Sequence, residues 1–218
     1  DQTKIDSESP YEAMFELDFL NESREFYSSE STYFLQNATV PDYLQKIEKR
    51  LEEEQARCDA YLVVNTHPKV IGIAEHELIT NHASTLVSNE TSGCRSMFNL
   101  ESISDLKRMY ALFSRVDSTL PLLRDAMGAT IKAIGDTILQ DREVMKAPIS
   151  FVDAVMKVRA KFTHTIEMAF ENDKRSQKKM KEAFEDFMNI DGTSARSLAD
   201  YSDDMLKNSL RGVNEQEA

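Results

Sequence analysis

The sequence predicts an all-α protein: an elongated stack of helical bundles, about eight helices of roughly 13 to 26 residues and no sheet. Three observations carry this. Apolar residues recur at steps of three and four, and no stretch keeps the period-two alternation of a half-buried strand. Glycine and proline number only 6 and 5 among 218 residues, too few for a turn-rich β architecture. All five prolines (Pro10, Pro41, Pro68, Pro121 and Pro148) fall where an apolar-periodic run starts or stops, the places a helix tolerates them.

The elements follow in order. Residues 1–10 are polar and aperiodic and predict a disordered lead-in; Asp1 in place of Met suggests a fragment. The first helix is expected over 11–36, where Leu20, Tyr27 and Phe34 stand a heptad apart beside Leu17, Phe26 and Tyr33. So many aromatic residues predict burial over a broad face. Thr39, followed by Val40, Pro41 and Asp42, opens the second helix, to about residue 64, with Leu44, Ile47, Leu51, Cys58 and Leu62 as its inner stripe. The run from Glu48 to Arg57 reads as a solvated charged face, in which Glu53 can pair with Arg57 one turn on.

Thr66, His67 and Pro68 open a third helix, expected to reach residue 87, with Val70, Ile73, Ala74, Leu78 and Ile79 inward. Polar residues 88–93 end it, and 97–100 reads as a short turn. Residues 105–116 form a compact amphipathic helix, with Leu106, Met109, Tyr110 and Phe113 on one face and Ser104 and Asp105 as capping candidates. Residues 120–139 repeat the pattern through Leu120, Leu123, Met127, Ile131, Ile134 and Ile138. Gly128 and Gly135 lie inside that run, each costing about 1 kcal/mol against alanine, so a close helix–helix approach is expected there. After a loop at 140–146 come helices at 149–170 (Val152, Val155, Phe162, Ile166), 174–189 (Met180, Ala183, Phe184, Phe187) and 193–210 (Leu198, Tyr201, Met205), then a polar tail.

Chemistry is harder to find. A net charge of −12 disfavours nucleic acid and anionic membranes, whose phosphates need clustered Lys and Arg. Two cysteines, Cys58 and Cys94, suit the reducing cytosol or nucleus. Of His67, His76, His82 and His164, none has a second histidine four residues on or a glutamate three residues before it, as helical zinc and di-iron sites require. No glycine-rich phosphate loop is present, and the serines stand where capping explains them. No catalytic residue, cofactor-binding residue, metal ligand or cofactor is therefore assigned.

An ordered set of motifs does accumulate. It runs from Phe26-Tyr27-x-x-Glu30-Ser31, through Tyr43-Leu44-x-Lys46-x-Glu48-x-Arg50-Leu51 and Glu77-Leu78-Ile79-x-x-His82, to Asp105-Leu106-x-x-Met109-Tyr110-x-Leu112-Phe113-Ser114-Arg115-Val116. It closes with Phe170-x-Asn172-Asp173, Phe184-Glu185-x-Phe187-x-Asn189 and Asp203-Asp204-x-Leu206-Lys207. In this order and spacing the chain resembles a cullin along nearly its whole length. The resemblance implies the scaffold of a multi-subunit E3 ubiquitin ligase, non-catalytic itself, whose amino-terminal stalk is built of cullin repeats. It implies a second repeat lacking its first helix over 11–100, a third over 101–210 and a tail over 211–218. It also implies a substrate adaptor held through an absent first repeat, and a RING protein and NEDD8 held through an absent carboxy-terminal region. The adaptor type stays open. Residues 210–217 resemble the BTB-binding class, Val40-Pro41-Asp42-Tyr43-Leu44 the propeller-binding class, and Ser92-Gly93-Cys94-Arg95 the Skp-binding class. The expected role is a rigid spacer, in cytoplasm and nucleus, with no nucleic-acid or membrane partner. The competing readings are a helical subunit of a vesicle-tethering complex and a helical-bundle enzyme.

Overall fold

The computed structural model describes residues 10–141, 144 and 148–189. Among them every regular element is helical. A π-helical turn (Glu12–Glu16) leads into α1 (Leu17–Asn37), followed by α2 (Val40–Tyr61) and α3 (His67–Leu78). A 3₁₀ turn (Thr80–His82), α4 (Ala83–Ser88), α5 (Cys94–Asn99) and α6 (Ile103–Ser114) come next, then α7 (Leu120–Gln140), α8 (Pro148–Ala169) and α9 (Lys174–Met188). No helix among the described residues is long and apolar enough to cross a membrane. The lead-in up to residue 9, most of the 140–146 loop, the helix expected at 193–210 and the tail lie outside the described residues. The chain divides into two compact units, Asp1–Leu123 and Arg124–Ala218.

The first unit is organised around α2. Thr39 caps it: its hydroxyl oxygen accepts from the Asp42 N–H at 3.3 Å, and Pro41 sits in the first turn. Four of the five expected stripe residues, Leu44, Ile47, Leu51 and Cys58, are buried, joined by Val40 and Tyr43; the fifth, Leu62, is half-buried just past the helix end at Tyr61. Helices α1, α3 and α6 all pack against it. The Tyr43 hydroxyl donates to the Leu78 carbonyl at 2.7 Å. That bond occupies a carbonyl at the very end of α3. Ile79 and Thr80, β-branched and poor in helix propensity, follow at once. The single helix expected over 67–87 therefore breaks into α3, the 3₁₀ turn and α4.

Two further corrections concern α1 and α5. The broad buried face expected of the first helix is absent: only Tyr27 and Ser31 are fully buried, while Leu17, Phe26 and Tyr33 are 63%, 51% and 62% exposed. Helices α2 and α3 pack on one side of α1 and His82 of the 3₁₀ turn reaches Ser31 there, so among the described residues a single stripe is hidden. The short turn expected at 97–100 is instead the end of α5, which starts at Cys94 and buries Cys94, Met97 and Phe98. In α6 the expected Leu106, Met109 and Phe113 are buried, with Leu112 added and Tyr110 half-buried. Neither Ser104 nor Asp105 caps it; Asp105 sits in the first turn and pairs with Arg108 at 3.3 Å.

In the second unit, α9 packs on α8. Asp173 caps α9, accepting from the Ser176 N–H at 2.9 Å and the Arg124 guanidinium at 2.8 Å. Burial pushes this carboxyl up, but hydrogen bonds from Ser176, Arg124 and Arg175 outweigh it and hold the pKa below the usual range. Glu171 and Asn172 turn the chain with φ of 51° and 57°, and the Asn172 N–H closes α8 on the Ile166 carbonyl at 3.1 Å.

The two glycines of α7 do mark a close approach. A Cβ on Gly135 would lie 2.5 Å from the Phe187 ring of α9, and one on Gly128 would lie 3.0 Å from Lys179 Cε. Gly72 in α3 has nothing within 4 Å of that position. Gly72→Ala is thus expected to stabilise the protein by about 1 kcal/mol through helix propensity. Gly135→Ala is expected to destabilise it by about 1–3 kcal/mol by overpacking, against the same propensity gain. Opposite shifts of the denaturant midpoint would be the observation to make.

Candidate interaction surface

Helices α1, α2 and α3 are held in register by polar groups, not only by apolar contact. The Tyr27 hydroxyl donates to the Glu54 carboxylate, which is 4% exposed, and Arg57 pairs with the same carboxylate at 2.5 Å. Arg57 therefore takes Glu54 and not Glu53, the partner expected from the sequence. Glu53 is engaged by Arg50 at 2.8 Å, and Arg50 also reaches Glu30 of α1 at 2.8 Å. Glu16, from the π-helical turn, accepts from Lys69 at 2.7 Å and from the buried Thr66 hydroxyl at 2.8 Å. These hydrogen bonds, from Lys69 first and then Thr66, hold its carboxyl below its ordinary pKa. Arg108 of α6 and Arg115, just past its end, reach Glu48 of α2 and Glu75 of α3 at 2.7 and 2.8 Å.

Above the Tyr27–Glu54–Arg57 cluster lies a groove of about 450 Å³ lined by Phe15, Phe19, Phe26, Tyr61 and Leu62. Phe15 stacks on Phe19 with ring centroids 5.2 Å apart, and Tyr61 is 83% exposed. An aromatic surface of this kind suits a protein–protein contact. Sequence periodicity placed Phe26 in an inward stripe; nothing in the letters says that, among the described residues, one side of α1 lacks a covering helix. Glu54 was legible only as part of a charge run.

The groups that could carry chemistry are placed as follows. His67 contacts Asp59 at 3.6 Å and the Leu62 carbonyl at 3.0 Å; His76 contacts Glu77 at 3.3 Å; His164 is exposed. No group of three or more His, Cys, Asp or Glu among the described residues could hold a metal ion. His82 Nε2 lies 2.9 Å from Ser31 Oγ, the geometry of a base and a nucleophile. Yet Ser31 is fully buried, and its own proton goes to the Ser28 carbonyl at 3.0 Å. A buried hydroxyl with a backbone acceptor of its own and no path to solvent suits a structural tie between α1 and the 3₁₀ turn. Cys94 is buried with Sγ 3.3 Å from Met109 Sδ, and burial pushes its thiol up to about 12. Burial raises Cys58 too, with Glu54 adding to it. Thiols so displaced stay protonated near neutrality and are poor nucleophiles.

The described elements therefore define an all-α protein with an aromatic and a charged groove between its helices. The family profile of the cullin alpha solenoid domain matches residues 1–218. The chain is 37% identical over 210 residues to Cullin-3B of Arabidopsis thaliana, covering 96% of this chain and 29% of that protein. It is 38% identical over 206 residues to Cullin-3A of the same plant, covering 94% and 28%. It is 35% identical over 213 residues to Cullin-3 of Dictyostelium discoideum, covering 98% and 28%. The chain belongs to the cullin family. It spans less than a third of the length of the curated relatives it matches.

Two outcomes follow from the polar contacts. Tyr27→Phe leaves buried Glu54 short of a donor and should cost about 1–3 kcal/mol, whereas adding Glu54→Leu should recover most of that loss. A double-mutant cycle in urea checks it. Burial lowers the pKa of His82, with Glu77 opposing. The unfolded imidazole thus binds the proton more readily, and the stability it contributes is lost as pH falls through about 6.5 toward the folded value. His82→Gln, which keeps a donor for Ser31, should flatten melting temperature against pH in that window.

Proposed function

We propose that this chain is a stalk segment of a cullin that acts as a non-catalytic, rigid scaffold of an E3 ubiquitin ligase. The observation that carries the reading is the family match along the whole chain, together with full coverage of this chain by a small part of much longer relatives. In this reading the repeat boundary falls near residue 101. A substrate adaptor and the RING protein, with its NEDD8-modified region, bind parts of the protein outside this segment, and the complex works in cytoplasm and nucleus. Neither nucleic acid nor membrane is a partner. Motifs of the BTB-, propeller- and Skp-binding classes all occur, so the proposal names the role and leaves the adaptor open.

The physical task of such a segment is stiffness. Substrate and ubiquitin-loaded enzyme react fast only while their separation is held, because rate depends on effective concentration. Long helices sharing continuous apolar cores resist bending. Phe113, fully buried in α6, is one of the residues that supply this.

The test uses the full-length protein in its assembled ligase. Phe113→Ala should cost about 3–5 kcal/mol and loosen the stalk. Ubiquitin transfer to adaptor-bound substrate is expected to fall, while discharge of the conjugating enzyme to free lysine stays unchanged. Unchanged transfer from a stalk shown by circular dichroism to be unfolded would sink the spacer role. Co-purification with trafficking subunits in place of a RING protein would favour the vesicle-tethering reading.

A further inference from the structure

A second groove, of about 470 Å³, runs between α2 and α6. Its α2 wall is a continuous helical stripe that includes Glu48, Glu52, Gln55 and Asp59. The stripe covers roughly three turns, or about 17 Å. Ala56 of α2 and Ala111 of α6, both exposed, line the groove with small side chains that leave it open. Leu51 and Leu112 lie beneath, nearly buried. The floor is therefore apolar but shallow.

Charge decides what such a groove receives. The cations near it are already committed: Arg108 to Glu48 at 2.7 Å and Arg115 to Glu75 at 2.8 Å. Glu52 has no ion-pair partner among the described residues. Asp59 has only the Gln55 amide at 3.0 Å and the His67 ring at 3.6 Å. Glu52 is thus uncompensated, and Asp59, seven residues and two turns on along the same edge, has no Lys or Arg partner among the described residues. The net charge of −12 adds a long-range field of the same sign. That field opposes a second copy of the chain and draws in a cation.

We propose that the α2–α6 groove docks a partner helix carrying lysine or arginine two turns apart on one edge, with small apolar residues beside them. The basic groups face Glu52 and Asp59. Their aliphatic stems and the small residues lie over Ala56 and Ala111, where a bulky side chain does not fit. This goes beyond the spacer role and does not depend on it: any long helical scaffold could carry such a site. Affinity comes from charge more than from apolar area, so it is modest and falls with salt.

The probe is a blocked synthetic Ala/Leu helix of roughly 18 residues with two lysines seven apart, long enough to be helical alone. Fluorescence anisotropy with the intact chain is expected to show binding at low salt. Glu52→Lys should weaken it about tenfold or more. Glu90→Lys, an exposed site with the same change in net charge, should weaken it less than about twofold. Ala111→Phe, which fills the groove without touching charge, should abolish it. No binding at low salt, equal losses from Glu52→Lys and Glu90→Lys, or indifference to Ala111→Phe would each overturn the proposal. So would sedimentation showing that the groove pairs copies of the chain and excludes the peptide.

Discussion

Helix α2 has to bury one unbroken stripe while helices approach it from three directions. Val40, Tyr43, Leu44, Ile47, Leu51 and Cys58 are all at most 3% exposed, and α1, α3 and α6 supply the cover. Burying six large side chains is worth roughly 1.5–3 kcal/mol each before entropy is charged against it. The α2 cap at Thr39 sets where the stripe starts, and the Tyr43 hydroxyl sets where α3 ends.

Apolar burial is non-directional, so it fixes which faces meet but not the register between them. The polar clamps supply that. Tyr27–Glu54, Arg50–Glu30, Lys69–Glu16, Arg108–Glu48 and Arg115–Glu75 each join two elements. Most sit partly exposed, where an ion pair is worth little in stability. Their value is geometric: each accepts one side-chain arrangement and penalises a slipped one. In the second unit the same work falls to Arg124 on Asp173 and to the contact of Gly135 with Phe187. There a missing side chain fixes the distance, and a cap fixes the start of α9.

Much of this was legible in the letters. The 3.6-residue pattern located α2, α6, α7, α8 and α9 and most of their inner residues, because a helix with one buried face must show that period. Gly128 and Gly135 announced a close approach for a reason that holds in the structure: glycine inside a helix is costly unless space demands it. What failed was whatever depends on the neighbour. The aromatic residues of α1 carry the same periodic signal whether or not a helix covers them, so Phe26 and Tyr33 read as core and stand in solvent. The α3 break was missed because its cause is a hydroxyl 35 residues away. Glu54 and Glu52 belong to one charge run, yet one is buried against a phenol and the other faces an open groove. Helical phase separates them, and only tertiary packing says which phase is inside.

The perturbed groups argue the same point from the chemical side. Active sites displace pKa values toward reactivity: a thiol downward, a base toward the working pH. Here burial is the first cause for Tyr27, Tyr43, Cys58 and Cys94, and every one moves away from the reactive anion. Burial moves His82 below its ordinary value, away from the working pH, and its neighbour Ser31 is buried and lies 3.0 Å from the Ser28 carbonyl. Packing is therefore sufficient to explain every one of these shifts. Among the described residues the open features include two grooves between helices, one aromatic and one acidic, of the kind that suits contact with another chain. In the proposed stalk role, a stiff element between two binding ends would gain most from such lateral surfaces, because a partner seated there would read the geometry of the assembly without touching either end.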